Sequence, residues 1–277
     1  AELIDLGTWK THKFSMANGM NNLGQVVGYS RTSTNAGATK AILWEADGSV
    51  VVLPNLSGMG YAQGSEINDS GVVAGVSGTK AVIWKKKKVS ALPSLGGDYS
   101  IALGINASSW VVGNSQNKAG EVHAALWKDG KAIDLGTLGG RFSTANSIND
   151  KGQIVGSSET ADGEIHAFVW ENGSMKDLGA GMIRNLNSEG LFAGESPLTP
   201  TLAGRGRGRD YSSQAVLWAE GEDVLRLEML PQTKYSSAFA VNDSGTVIGV
   251  TELFKTDEAE SSASAAAGNF HATVWVP

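Results

Sequence analysis

An aromatic side chain recurs at a fixed place along the chain, seven residues before a repeated asparagine. Rings of this kind stack against the apolar faces of sugars, so a row of them predicts stacking platforms around an opening. The alternative is that the rings pack between neighbouring sheets. The members of the row are Phe14, Tyr61, Tyr99, Phe142 and Tyr235.

The residue just before each aromatic varies in charge along the row, as in Lys13, Asp98, Arg141 and Lys234. Variation at one place in a repeated frame indicates contact with solvent or ligand. A basic stretch at 204–210, GRGRGRD, adds cations that could contact an anionic polymer such as an acidic polysaccharide, or form a mobile surface loop. The candidate ligand-binding residues are Trp9, His12, Lys13, Asp98, Tyr99, Arg141, Phe142, Arg205, Arg207, Arg209, Tyr211, Lys234 and Tyr235.

Catalytic chemistry has weaker support, and no catalytic residue is assigned. The chain has no cysteine and no G-x-S-x-G motif, which removes thiol catalysis and the usual serine elbow. Elimination on a polysaccharide by His12, Tyr211 and an arginine of 204–210 stays open. Glycoside hydrolysis by two carboxylates stays open as well. Its candidates are Asp98, Glu121, Asp162, Glu164, Glu195 and Asp210.

Neither a metal nor a cofactor is expected. His123, His166 and His271 occupy one repeated position, but each belongs to a different repeat unit, so we assign them structural roles. The Asn-Asp turns resemble fragments of calcium loops without the closing acidic ligands. We therefore expect their asparagines to stabilise the turns through the side-chain oxygen.

The elements that position these residues are six repeat units. Each unit ends on a tryptophan, and each contains an asparagine followed seven residues later by a glycine. Such self-similarity is typical of solenoids and propellers. We interpret 1–277 as a single domain whose units span 3–44, 49–84, 88–127, 131–170, 174–218 and 224–275.

Within a unit, short β-prone runs alternate with Asn, Asp and Gly turns, which predicts a four-stranded antiparallel meander. Six such sheets stacked radially form an all-β, six-bladed β-propeller. The chain begins with LIDLG and ends with HATVWV, a fourth strand and a third strand without partners. The prediction is that the N-terminal strand joins the last blade and closes the ring.

The fourth unit has the pattern DLGTLGG, IND-x-G-x-IVG and HAFVW, and it resembles the HAF-repeat family of bacterial extracellular repeats. The family is named for the motif seen here at His166, Ala167 and Phe168. The resemblance covers essentially the whole chain. It implies a propeller-like fold and a secreted or cell-surface location, and it transfers no activity.

The net charge and the hydropathy of the chain argue against some classes of partner. The formal net charge of −6 argues against nucleic acid, and no apolar run is long enough to cross a bilayer. We expect a protein that is extracellular or at the cell surface after signal-peptide removal, with the periplasm as the alternative. Its expected partner is an extracellular polymer or glycan. The competing hypotheses are a polysaccharide lyase or glycoside hydrolase, and a structural or adhesive segment of a longer surface protein.

Overall fold

The computed structural model describes residues 4–32, 39–198, 212–219, 223–231, 233, 235–253 and 269–277. In this part of the chain every regular element is a β-strand, so no helix is long and apolar enough to span a membrane. The all-β prediction is confirmed. The strands are β1 Phe14–Met20, β2 Val26–Arg31, β3 Lys40–Trp44, β4 Val50–Val52, β5 Ala62–Ile67, β6 Val73–Ser77, β7 Lys80–Lys85, β8 Lys88–Ala91, β9 Gly96–Ile105, β10 Val111–Asn117, β11 Val122–Lys128, β12 Lys131–Asp134, β13 Gly139–Ile148, β14 Ile154–Thr160, β15 Ile165–Glu171, β16 Ser174–Ala180, β17 Met182–Leu186, β18 Leu191–Pro197, β19 Ser213–Ala219, β20 Leu225–Arg226, β21 Ser236–Val241, β22 Val247–Leu253 and β23 Asn269–Trp275.

The strands pair as antiparallel meanders, as the alternating runs and tight turns predicted. Two four-stranded sheets have the orders β1-β2-β3-β4 and β5-β6-β7-β8, and a third has the order β17-β18-β19-β20. The sheet β21-β22-β23 has three strands. These four separate sheets have the construction of propeller blades.

The six-bladed ring is wrong for the described residues. The strands predicted as the third and fourth blades belong to one eight-stranded sheet. The cause is a parallel pairing of β11 with β13 at Val122 and Phe142, because β13 already begins at Gly139 in a stretch that we interpreted as a connection. β11 pairs with β12 from Ala125 to Lys128, and its earlier residue Val122 pairs with β13, so β11 joins the two predicted blades into one sheet.

The predicted closure of the ring is also wrong. The described residues before β1 form no strand, because Gly7 and Lys10 have positive φ values of 67° and 50° and the chain turns between Trp9 and His12. In the C-terminal sheet, β23 pairs with β22 alone among the described strands.

The chain divides into two compact units, of which the first holds 1–137 with 141–150 and the second holds 138–140 with 151–277. Each has its own buried apolar clusters between facing sheets. In the first unit Val27 and Val73 pack around Trp84. In the second unit Val155, Ile183 and Phe192 pack with Trp218.

The alanine of the third strand is completely buried in five repeats, where a larger side chain would separate the sheets. The five are Ala41, Ala81, Ala124, Ala167 and Ala215. In the sixth repeat Ala272 is exposed on β23, the last strand of the three-stranded sheet.

The repeated asparagine stabilises its own turn, as predicted, and it also links neighbouring repeats. In the third repeat, Asn106 Oδ1 accepts from the Trp110 backbone N–H at 2.9 Å, while Asn106 Nδ2 donates to the Asn149 carbonyl at 3.2 Å. The same donation from one asparagine to the next recurs from Asn21 to Asn68, from Asn68 to Asn106, and from Asn187 to Asn242. Each amide therefore satisfies buried backbone groups in two repeats.

The repeated glycine is required by a β-bulge. On β1 the register shifts between Ala17 and Gly19, which brings the Met16 carbonyl against Gly28 of β2. A Cβ on Gly28 would overlap that carbonyl oxygen, and Gly113, Gly194 and Gly249 meet the same obstacle. Only glycine fits so close a backbone approach. The bulge thus fixes the first strand, which contains the aromatic residue of the row or directly follows it.

Candidate ligand-binding site

The aromatic row is at the surface of the protein at three of its five positions. Phe14, Tyr99 and Phe142 are 44%, 39% and 39% exposed, whereas Tyr61 and Tyr235 are half-buried. Rings that only packed between sheets would be buried like Trp84. The geometry therefore favours the stacking-platform hypothesis over the packing alternative at Phe14, Tyr99 and Phe142.

The first compact unit gathers part of this row around an arginine. Arg31 ends β2, and its guanidinium carbon lies 5.6 Å from the centre of the Phe14 ring and 5.7 Å from that of Tyr29. Such distances allow cation–π attraction to both rings. We call Phe14, Tyr29, Arg31, Tyr61 and Tyr99 the arginine–aromatic cluster.

The pKa of Tyr61 responds to several members of the arginine–aromatic cluster. Burial raises the pKa of its phenol, the Tyr29 and Tyr99 phenols add to the rise, and the Arg31 guanidinium opposes it. The Tyr61 hydroxyl donates to Gln63 Oε1 at 2.7 Å. The phenol is therefore held neutral and oriented, which suits a hydrogen-bonding role rather than that of a base.

Trp9, His12 and Lys13 lie directly before Phe14, and only the lysine is exposed. His12 is buried, its Nδ1 is 3.0 Å from Ser30 Oγ, and its ring packs edge-on against Trp9 with centroids 4.9 Å apart. This arrangement gives His12 a structural role that anchors the segment to β2. Lys13 bonds the Arg31 carbonyl through its backbone N–H at 3.0 Å, which places both cationic residues at this end of the cluster.

The charged residues beside Tyr99 and Phe142 are both exposed, but their partners differ. Asp98 is held through its backbone, whose N–H donates to Gln116 Oε1 at 3.2 Å. Arg141 has a side chain that is 84% exposed and pairs with Glu121 at 3.1 Å. Hydrogen bonds from Arg141 and from Asn117 lower the pKa of Glu121. Both charges therefore face solvent, as their variable sign predicted.

A second cluster lies in the second compact unit, around the buried carboxylate of Glu195. Arg184 Nη2 donates to Glu195 at 3.2 Å, and the guanidinium lies 5.3 Å from the centre of the exposed Phe239 ring. Tyr235, a member of the row, is close by: burial raises the pKa of its phenol, and Glu195 adds to the rise. The charge of Arg184 is balanced by this ion pair, whereas no described residue forms an ion pair with Arg31.

Two of the three histidines that share a repeat position pair with aspartates. His123 Nδ1 lies 2.9 Å from both oxygens of Asp134, and His166 pairs in the same way with Asp177. Each pair ties the third strand of a repeat to the fourth. Within the described ranges, no group of three or more His, Asp or Glu side chains is arranged to hold a metal ion.

Sequence reasoning missed Tyr29, Arg31 and Arg184, and it named Glu195 only as one of six candidate carboxylates for glycoside hydrolysis. Tyr29 and Glu195 occupy the same place in their repeats, directly after the repeated glycine, where the other repeats have Val76, Asn114, Ser157 and Val250. That variability was the available signal. The predicted candidates Arg205, Arg207, Arg209, Tyr211 and Lys234 lie outside the described residues.

Fold and site together define an all-β repeat protein with propeller-type blades and a surface row of aromatic rings. No family model matches the chain, and the comparison with curated proteins finds no match. The chain is similar to solved structures at low identity. The TolB protein of Acinetobacter baumannii is 10% identical, with a TM-score of 0.48, covering 76% of this chain and 56% of that one.

Two further solved structures are also similar to this chain at low identity. A complex of the puromycin hydrolase S511A mutant with PGG is 10% identical, with a TM-score of 0.39, covering 88% of this chain and 52% of that one. The WD40 domain of SCAP from fission yeast is 11% identical, with a TM-score of 0.35, covering 95% of this chain and 75% of that one. This chain thus spans little more than half the length of the first two proteins.

Proposed function

We propose that this protein is a bacterial glycan-binding module that acts outside the cytoplasm and holds an extracellular polysaccharide on its aromatic row. The observation that carries the proposal is the exposure of Phe14, Tyr99 and Phe142 at equivalent repeat positions. Exposed apolar rings cost free energy unless they serve a surface contact, and sugars offer flat faces of C–H groups for them. The location rests on the HAF-repeat resemblance.

Rigid positioning supports binding at this row. Phe14 begins β1, which pairs with β2 in an antiparallel hairpin. Phe142 lies near the start of β13, which pairs with β14 and, in parallel at Phe142 itself, with β11. Binding residues at the ends of a fixed scaffold lose little conformational entropy when a ligand arrives. Repetition also places several weak sites on one chain, which suits a polymer with a repeated unit.

Affinity electrophoresis in gels cast with neutral and acidic polysaccharides tests the proposal. We expect at least one polymer to retard the wild-type protein. Tyr99→Ala and Phe142→Ala should each weaken the retardation, because each removes one stacking ring. Ile133→Ala is the matched control, since Ile133 is 38% exposed on β12 outside the row.

Two results would contradict the proposal: no retardation by any polymer, or retardation that both ring variants retain in full. The size of the recovered polymer separates binding from catalysis. Polymer of unchanged length supports a binding module, whereas shortened polymer would favour the lyase or hydrolase alternative.

A further inference from the structure

The arginine–aromatic cluster contains a hydrogen-bond donor with no acceptor. Arg31 Nε is buried, and it has no hydrogen-bond partner among the described residues. A buried donor left unsatisfied costs about 1–3 kcal/mol, so such atoms are rare in native structures and indicate a place where a ligand or ion completes the bonding.

The charge of Arg31 is unbalanced as well. Of the described residues, neither Arg31 nor the neighbouring Lys13 takes part in an ion pair, whereas Arg141 pairs with Glu121 and Arg184 with Glu195. The net charge of the whole chain is −6. Two unpaired cations at one end of the cluster therefore form a local site of opposite sign, which favours an anionic group.

The aromatic rings beside Arg31 favour a sugar that carries an anionic group over a free ion, because they offer apolar surface next to the positive charge. Phe14 and Tyr29 lie against the guanidinium, and Tyr61 is near enough for the charges of Arg31, Tyr29 and Tyr99 to act on its phenol. A guanidinium stacked on rings keeps its planar N–H fork available for a carboxylate or sulfate. The exposed rings of Phe14 and Tyr99 would then contact the apolar face of the same or the next sugar.

We infer that the arginine–aromatic cluster binds the anionic group of an acidic polysaccharide, with Arg31 as the residue that recognises the charge. This inference names the substrate class of the site and rests on the function proposed above. The anionic group is a carboxylate or a sulfate ester, since both present paired oxygens to a guanidinium.

Two pairs of polymers test the inference on the wild-type protein. Polygalacturonate and highly methyl-esterified pectin share a backbone and differ in the charge of the carboxyl groups. Dextran sulfate and dextran differ in the sulfate esters. We expect the charged member of at least one pair to retard the protein at least about tenfold more strongly than the uncharged member. The retarding pair identifies the anion as a carboxylate or a sulfate.

Variants assign the effect to Arg31. Arg31→Gln should weaken binding to the charged polymer by about tenfold or more, and Arg31→Lys should recover only part of it, because an ammonium lacks the planar fork. The control is Arg226→Gln, which removes the same charge from an exposed arginine of β20 in the second compact unit. Circular dichroism before and after heating verifies that each variant is folded.

The outcomes separate the two proposals. Equal retardation by both members of each pair, or unchanged binding by Arg31→Gln, would overturn the anionic class while leaving a glycan-binding function in place. An equal loss in Arg226→Gln would overturn the role of Arg31, since it would show that only total charge matters. Absence of binding to every polymer would overturn both proposals.

Discussion

Glu66 makes the stability of the first compact unit depend on pH near neutrality. It lies on β5 directly after a β-bulge, mostly buried, and its carboxylate faces the backbone at Gly19 of β1. Burial raises the pKa of Glu66 from 4.5 to about 7, although a hydrogen bond from the Ile67 N–H at 3.1 Å lowers it slightly. Within the described ranges, no charged neighbour contributes to the shift.

The size of the effect follows from this pKa. The folded protein holds the proton more tightly than the unfolded chain, so loss of the proton favours unfolding. The stabilisation is complete below pH 4.5 and is lost as the pH rises through about 7. A pKa change from 4.5 to about 7 corresponds to about 3 kcal/mol, since one pKa unit is worth about 1.4 kcal/mol.

Urea unfolding followed by tryptophan fluorescence between pH 4.5 and pH 8 measures this dependence. The unfolding free energy of the wild type should fall by up to about 3 kcal/mol over the range, whereas Glu66→Gln should remove most of the fall. Glu189→Gln, the same change at an exposed turn residue, should leave the wild-type curve unchanged. If Glu66→Gln and the wild type lost stability in parallel, burial of Glu66 would not be the cause.

Two further substitutions test the hydrogen bond between neighbouring repeats and the second cluster, around Glu195. Asn106→Asp replaces the amide that donates to the Asn149 carbonyl with a carboxylate that repels it, and we expect a loss of about 2 kcal/mol in urea unfolding at pH 7; an unchanged midpoint would show that the link between repeats is dispensable. Glu195→Gln should lower the pKa of Tyr235 towards 10.0 without reaching it, because burial is the larger cause. Ultraviolet titration of the phenol measures this, and a rise in the pKa would contradict it.

The local structure could be predicted from the sequence because the repeats mark it. Asn106 accepts a hydrogen bond within its own turn, and Gly113 allows the Ile101 carbonyl to approach the backbone closely. Both roles follow from the residue type. The number of separate blades could not be predicted in the same way. Whether the two blades stay separate depends on a parallel pairing between Val122 of β11 and Phe142 of β13. These two residues are far apart in the sequence, and no local pattern marks their pairing.

The aromatic row could be predicted for the same reason, but its electrostatic partner could not. Phe14 and Tyr99 recur in phase with the asparagines, whereas Arg31 stands where the other repeats have Gly78, Gln116, Glu159, Pro197 and Glu252. A residue that occurs once in a repeated frame gives no periodic signal. Its role becomes visible only when β1 and β2 pair and place the guanidinium beside the rings.

The two arginine clusters show how one repeated scaffold gives two different chemistries. Tyr29 and Glu195 both follow the repeated glycine, at a place that faces the first strand across the bulge. Where that place holds Glu195, the carboxylate neutralises Arg184 and leaves no net charge for a ligand. Where it holds Tyr29, the ring contacts Arg31, which has no ion-pair partner in the described part of the chain. The two clusters therefore differ at two positions: in the residue that follows the glycine, and in the arginine, which lies on the first strand in one repeat and at the end of the second strand in the other.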